Sequence, residues 1–183
     1  MRIPEERSLL VVVDVQERLL PVMSDHDLVT DRVVRLIRGI ATLGLPMLMT
    51  EQYRKGLGPT VDPVASAFRE GGGGEPIEKM AFSCCDEPAF VRALSGLGRR
   101  FVLLAGIESH VCMLQTSIDL LKAGYQPVVP ADVTSSRFKE DKDFALRRLE
   151  KEGAIVTTSE ALLFELTRVT GTSRFKEISK LVK

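Results

Sequence analysis

Six short aliphatic runs punctuate the chain, and stretches of helical periodicity lie between them. The runs are Ser8 to Asp14, Pro46 to Thr50, Pro76 to Ser83, Phe101 to Leu104, Gln126 to Asp132 and Ala154 to Thr157. Runs of this kind, apolar on both faces and too short for a helix, belong in a parallel sheet covered on both sides. In the first intervening stretch Val29, Val33, Leu36, Ile37 and Ile40 recur at three- and four-residue spacing, which predicts a helix from about Asp27 to Leu43 with Gly44 as its stop. Further helices are predicted over about Glu87 to Gly96, from Cys112 onward with Val111, Leu114, Ile118 and Leu121 as its stripe, and over about Glu140 to Glu152. Two more follow, from Ser159, read as its cap, to Arg168, and from Phe175 to Val182. The alternation predicts an α/β fold, a three-layer α/β/α sandwich around a six-stranded, mostly parallel, Rossmann-like sheet of order 3-2-1-4-5-6.

The chain has 183 residues, 44% of them hydrophobic, enough for one well-buried domain spanning 1–183. Lysine plus arginine (25) balances aspartate plus glutamate (25), so no field favours nucleic acid or an anionic membrane, and the expected partner is a small-molecule substrate. Near-neutral charge is also compatible with a homo-oligomer. Three cysteines, two of them adjacent at Cys84 and Cys85, make no disulfide framework, and no signal segment or long apolar span is seen, so a cytoplasmic location is expected. Gly71 to Gly74 reads as a flexible loop.

Open α/β sheets bind ligands beyond the carboxyl ends of their strands, at the point where the order reverses; here that is between strands one and four. Asp14 ends strand one. Strand four is read as breaking at Ala105-Gly106, which puts Cys112 in the first turn of the next helix. Free N–H groups and the helix dipole favour a thiolate there, and a strand-to-helix turn has the layout of an oxyanion hole. Each residue has a plainer explanation: Asp14 as a helix cap, Cys112 as a small buried hydrophobe, Lys79 as a surface lysine. Convergence of an acid and a thiol on one crevice favours the base-plus-nucleophile reading. Lys79 lies on an edge strand in this order, so its loop must turn inward to join them. The polar loop from Glu51 to Pro63 leaves strand two over the same crevice. His110 lies two residues before the cysteine, a spacing that points the side chains apart, and Cys84 and Cys85 lack the spacing of resolving cysteines for a redox pair.

Four segments together resemble the isochorismatase-like cysteine hydrolases, which include nicotinamidases and N-carbamoylsarcosine amidases. They are Leu9-Leu-Val-Val-Val-Asp14-Val-Gln16, Glu78-Lys79 followed by Phe82-Ser83, Ala105-Gly-Ile-Glu-Ser-His-Val-Cys112, and Gly124-Tyr125 through Ala131-Asp132-Val-Thr-Ser-Ser136. The resemblance implies a catalytic triad of Asp14, Lys79 and Cys112, a cis peptide at Ile107–Glu108, and an oxyanion site from the backbone N–H groups of Glu108 and Cys112. Gln16, Gln52, Phe82 and Ile107 are the expected substrate-binding residues. No cofactor is implied. The loop after strand two lacks the Asp-x-His metal motif of nicotinamidases, and the chain's only histidines are His26 and His110, so no metal site is expected. Isochorismatases proper lack the nucleophilic cysteine, so Cys112 argues against that activity. The Glu51-Gln-Tyr-Arg-Lys-Gly-Leu-Gly-Pro-Thr60 loop and the Phe175-Lys-Glu-Ile178 tail look most like the isochorismatase-domain-containing subgroup. The activity implied is hydrolysis of the carbon–nitrogen bond of a small amide through a thioester; the alternative is a weak or inactive binding protein on the same scaffold.

Overall fold

Every residue of the first strand, β1 (Ser8–Val13), is buried, as a strand apolar on both faces requires. The computed structural model, which describes residues 1–183, continues with α1 (His26–Thr42), β2 (Met47–Gln52), α2 (Arg54–Leu57), α3 (Asp62–Glu70) and β3 (Ile77–Lys79). There follow α4 (Pro88–Gly96), β4 (Phe101–Ile107), α5 (Leu114–Lys122), β5 (Gln126–Pro130), β6 (Thr134–Ser135), α6 (Lys139–Glu152), β7 (Ile155–Thr157), α7 (Ser159–Thr167) and α8 (Ser173–Leu181). All strand pairs are parallel, and the order is β3-β2-β1-β4-β5-β7, with β6 paired to β4. This is the expected order, β7 being the sixth aliphatic run. β6 has two residues, too few to show a period.

Strand alternation divides the interior in two. Leu10, Val12, Leu103 and Ala105 face α1, α3, α7 and α8 in a cluster of 28 buried residues. Leu9, Val11, Val13, Val102 and Leu104 face α4, α5 and α6 in a cluster of 14. Each fully buried leucine or valine contributes about 1.5–3 kcal/mol.

Four local expectations are corrected. β4 does not break at Ala105-Gly106 but runs on to Ile107. Gly106 pairs with Val13, and a Cβ on it would lie 2.0 Å from the Val13 carbonyl oxygen, so glycine is required there by close approach within the sheet. The Glu51 to Pro63 loop is largely ordered structure: β2 takes Glu51 and Gln52, α2 follows, and α3 begins at Asp62 with Pro63 in its first turn and Val64, Ala67 and Phe68 buried. On α5 and the turn before it the buried face is Cys112, Met113, Thr116, Ser117 and Leu120, one position off the expected stripe. Small hydroxyls can take this face because each finds a backbone partner: Ser117 Oγ donates to Met113 O at 2.7 Å, and Thr116 Oγ1 accepts from Cys84 N at 2.9 Å. Finally, the cap of α7 is Thr158, whose hydroxyl accepts from Ala161 N; Ser159 instead bonds Asp132.

Candidate active site

Register decides which side chains meet. On β2, Met47, Met49 and Glu51 point to one face of the sheet and Leu48, Thr50 and Gln52 to the other. Thr50 pairs with Val13, and Gln52 pairs with Lys79. Lys79 therefore lies beside Gln52 on the face that carries Cys84 and Cys112. Continued alternation would carry Asp14 to the face of Leu10 and Val12. Its backbone is instead left-handed, with φ of 54°, a conformation aspartate tolerates better than most residues, and the carboxylate reaches the opposite group.

Lys79 is an edge-strand residue, yet only 1% of its surface is exposed, and Asp14 is 0% exposed. The Lys79 ammonium lies 2.7 Å from Asp14 Oδ2 and donates to Gln52 Oε1 at 2.7 Å and to the carbonyls of Ala81 and Phe82 at 3.1 Å each. Four oxygens thus surround three N–H bonds. Asp14 Oδ2 has no hydrogen bond of ordinary direction and depends on this ion pair. Asp14 Oδ1 accepts from the Thr50 hydroxyl at 2.8 Å.

Cys112 occupies a π-helical turn, Ser109–Met113, that leads into α5. Its sulfur is 3.7 Å from Lys79 Nζ and 4.0 Å from Gln52 Oε1, beside the ammonium that holds Asp14. The turn is tied down on several sides. Met113 N donates to Glu108 O, Ser109 and Thr134 share a hydroxyl contact at 2.8 Å, and Arg137 gives both its backbone N–H and its guanidinium to Glu108 Oε2. The Ile107–Glu108 peptide is cis.

Burial opposes the charge on Lys79, but the Asp14 carboxylate, then Cys112 and Cys84, outweigh it and hold its pKa above the ordinary 10.5. Burial, with the Asp14 charge behind it, pushes the Cys112 thiol well above the ordinary range despite the opposing Lys79 charge. This corrects the expectation of a thiol already ionised at the helix end. With no substrate bound the proton stays on sulfur, beside a carboxylate able to take it.

Gln16, expected near substrate, is fully buried and turned to backbone: its amide donates to Gln52 O and Gly58 O and accepts from Gln52 N, stapling the β2–α3 connection over β1. Gln52 is 9% exposed and engaged at both ends, by Lys79 and by Met80 O. Ile107 lies in the larger core cluster and brings only its backbone to the site. Phe82 is 54% exposed, at the rim, with its carbonyl on Lys79. His110 faces Ser136 and Asp141. Thr50 was missed by sequence reasoning, although its place two residues before Gln52 on one strand face was a usable signal.

The site is closed over: Cys112 is 4% exposed, and the surface clefts are lined by other residues. One cleft of about 290 Å³, between Glu17, Glu51, Arg54, Asp62 and Arg69, opens on the far face of β2. Its buried acid, Glu51, is fully engaged by Thr60 and Arg54, so it offers no free reactive group. No cluster of three histidine, cysteine or acidic side chains is arranged to hold a metal. No helix is long and apolar enough to cross a membrane.

Residues 8–161 match the family model described as Isochorismatase domain. Isochorismatase domain-containing protein 2A of Mus musculus is 38% identical over 183 residues, covering 100% of this chain and 85% of that one. The structure described as MAR1 ribonuclease from Caenorhabditis elegans superposes with a TM-score of 0.90 at 38% identity, covering 100% of this chain and 92% of the other. The YcaC gene product from Escherichia coli, described as an octameric hydrolase of unknown specificity, shares the fold with a TM-score of 0.91 at 22% identity, over 99% and 89% of the two chains. The family model covers most of the chain and the mouse relative all of it, and the chain belongs to the isochorismatase family.

Proposed function

We propose that the protein is a cysteine-dependent hydrolase that cleaves the carbon–nitrogen bond of a small amide through a thioester, with Asp14, Lys79 and Cys112 as its catalytic residues. One observation carries this reading: the fully buried Asp14–Lys79 ion pair at 2.7 Å, with the Cys112 sulfur 3.7 Å from the same ammonium. A charged pair is costly to bury for packing alone. In the first step Asp14 takes the Cys112 proton as sulfur attacks the carbonyl carbon, and the oxyanion is met by the backbone N–H groups of Glu108 and Cys112. The intermediate collapses with cleavage of the C–N bond, and the amine leaves with the proton from Asp14. Asp14 then deprotonates a water that attacks the thioester, releasing the carboxylic acid and returning the proton to sulfur. Lys79 stays charged throughout, balancing Asp14 and favouring negative charge on sulfur; Gln52 holds it in place.

A closed site suits a small substrate. The apolar residues Leu114, Ile118 and Leu121 of α5 are only half-buried, and Met80, Phe82, Phe138 and Phe144 are exposed, which favours a homo-oligomer, as the octameric Escherichia coli protein does by fold analogy. Three free thiols fit a reducing cytoplasm.

The name of the Caenorhabditis elegans relative raises RNA cleavage as a second reading. Balanced charge, 25 basic against 25 acidic residues, gives a polyanion no basic track to follow, and the amidase reading is preferred. The test is a panel of small amides and activated esters, with intact-protein mass spectrometry to trap an acyl group, run beside a short RNA. Acylation of Cys112, absent in Cys112→Ala, is expected. Turnover that survives Cys112→Ala, or RNA cleavage lost with Asp14→Asn, would overturn the proposal.

A further inference from the structure

Thr50 touches Asp14 twice. Its backbone carbonyl accepts from Asp14 N at 3.2 Å, and its hydroxyl donates to Asp14 Oδ1 at 2.8 Å. Both contacts fall where β1 ends and the chain turns left-handed, so they bind the residue that departs from the strand, at its backbone and at its carboxylate. Thr50 is 0% exposed, so its hydroxyl is out of reach of bulk solvent. The hydroxyl has one proton, committed to Asp14; the Cys84 sulfur, 3.8 Å away, can only supply one in return. Cys84 is fixed in turn through its backbone N–H on Thr116. The chain Thr116–Cys84–Thr50 therefore ends on the one carboxylate oxygen that Lys79 does not hold.

A carboxylate tethered at a single oxygen can rotate about its Cβ–Cγ bond. Held at both, Oδ2 by Lys79 and Oδ1 by Thr50, it is fixed in plane. A threonine on a strand is suited to this, because its β-branch restricts χ1 and keeps the hydroxyl aimed.

We propose that Thr50 is a positioning residue that locks the plane of the Asp14 carboxylate so that it meets the Cys112 thiol. The inference rests on Asp14 acting as the base. Its consequence is kinetic: loss of the hydroxyl leaves binding intact and slows the step in which Asp14 takes the thiol proton, because small misplacements of a general base are costly in rate.

The test uses p-nitrophenyl acetate as acyl donor, following p-nitrophenolate release. Thr50→Val, which keeps the side chain's shape, is expected to lower the saturating acylation rate by about 10- to 100-fold with KM changed less than about 2-fold. Thr50→Ser, which keeps the hydroxyl but frees χ1, should recover all but a few-fold of the loss. Should valine fail to pack, Thr50→Ala only removes atoms and serves the same purpose. Acylation unchanged in Thr50→Val or Thr50→Ala, a loss confined to KM, or no recovery in Thr50→Ser would overturn the inference. Cys112→Ala and Asp14→Asn run alongside separate the two claims. If both retain acylation, the catalytic reading fails; if both lose it while Thr50→Val does not, only the role of Thr50 fails.

Discussion

Replacing Lys79 by methionine probes the ion pair directly. Methionine matches the lysine stem in length and flexibility, so packing changes little, but the Asp14 carboxylate loses its cation in a site where both side chains are 0% exposed. Two carbonyls, Ala81 and Phe82, and Gln52 Oε1 lose their donor as well. Breaking a buried pair by removing one partner costs about 3–5 kcal/mol. For a chain of this size that lowers the melting temperature by on the order of 10 °C. The double variant Lys79→Met with Asp14→Asn removes the stranded charge and should recover at least about 2 kcal/mol relative to the sum of the two single losses. Urea denaturation of wild type, both singles and the double at pH 7 closes the cycle. A loss below about 1 kcal/mol for Lys79→Met, or additive losses in the double, would refute the view that the pair is a coupled buried charge.

Two further outcomes follow from the same structure. Burial raises the thiol pKa of Cys84 to about 11 and that of Cys112 further, from an ordinary 9.0; below pH 9 folded and unfolded chains alike keep these protons, whereas above it only the unfolded chain releases them. Stability should therefore be level from pH 6 to 8 and fall above pH 9 by roughly 3 kcal/mol per pH unit for the two thiols, with Lys79, raised above 10.5, acting in the same direction. Urea midpoints that stay flat to pH 10.5, or a slope that Cys84→Ala does not reduce, would contradict this. Gly106→Ala places a methyl 2.0 Å from the Val13 carbonyl at a φ of +137°, so β1 and β4 must separate beside the site. The expected result is insoluble protein or a loss of several kcal/mol by calorimetry, and a variant within about 1 kcal/mol of wild type would show the backbone approach to be dispensable.

The chain itself determined the layers and, through the alternation of strands and helices, the sheet order. Aliphatic runs such as Leu9 to Val13 are legible as buried strands, the stripe from Val29 to Ile40 as a helix, and Asp14 and Cys112 stand out by where such elements stop, whereas Lys79, inside its aliphatic run, was marked only by the family resemblance. What only the tertiary structure decided is everything that depends on register and desolvation. Gln16 and Gln52 look alike in the sequence, yet β2–β3 pairing sets Gln52 on the Lys79 ammonium while Gln16 is spent on loop backbone. Gly106 reads as a turn until its distance from Val13 is known. The protonation of Cys112 reversed the expectation from its helix position, because a helix terminus acts over one turn and is outweighed when burial and an aspartate act on the same sulfur. Thr50 carried no mark of its own; it acquired one only when a parallel strand brought it beside a left-handed aspartate from 36 residues away.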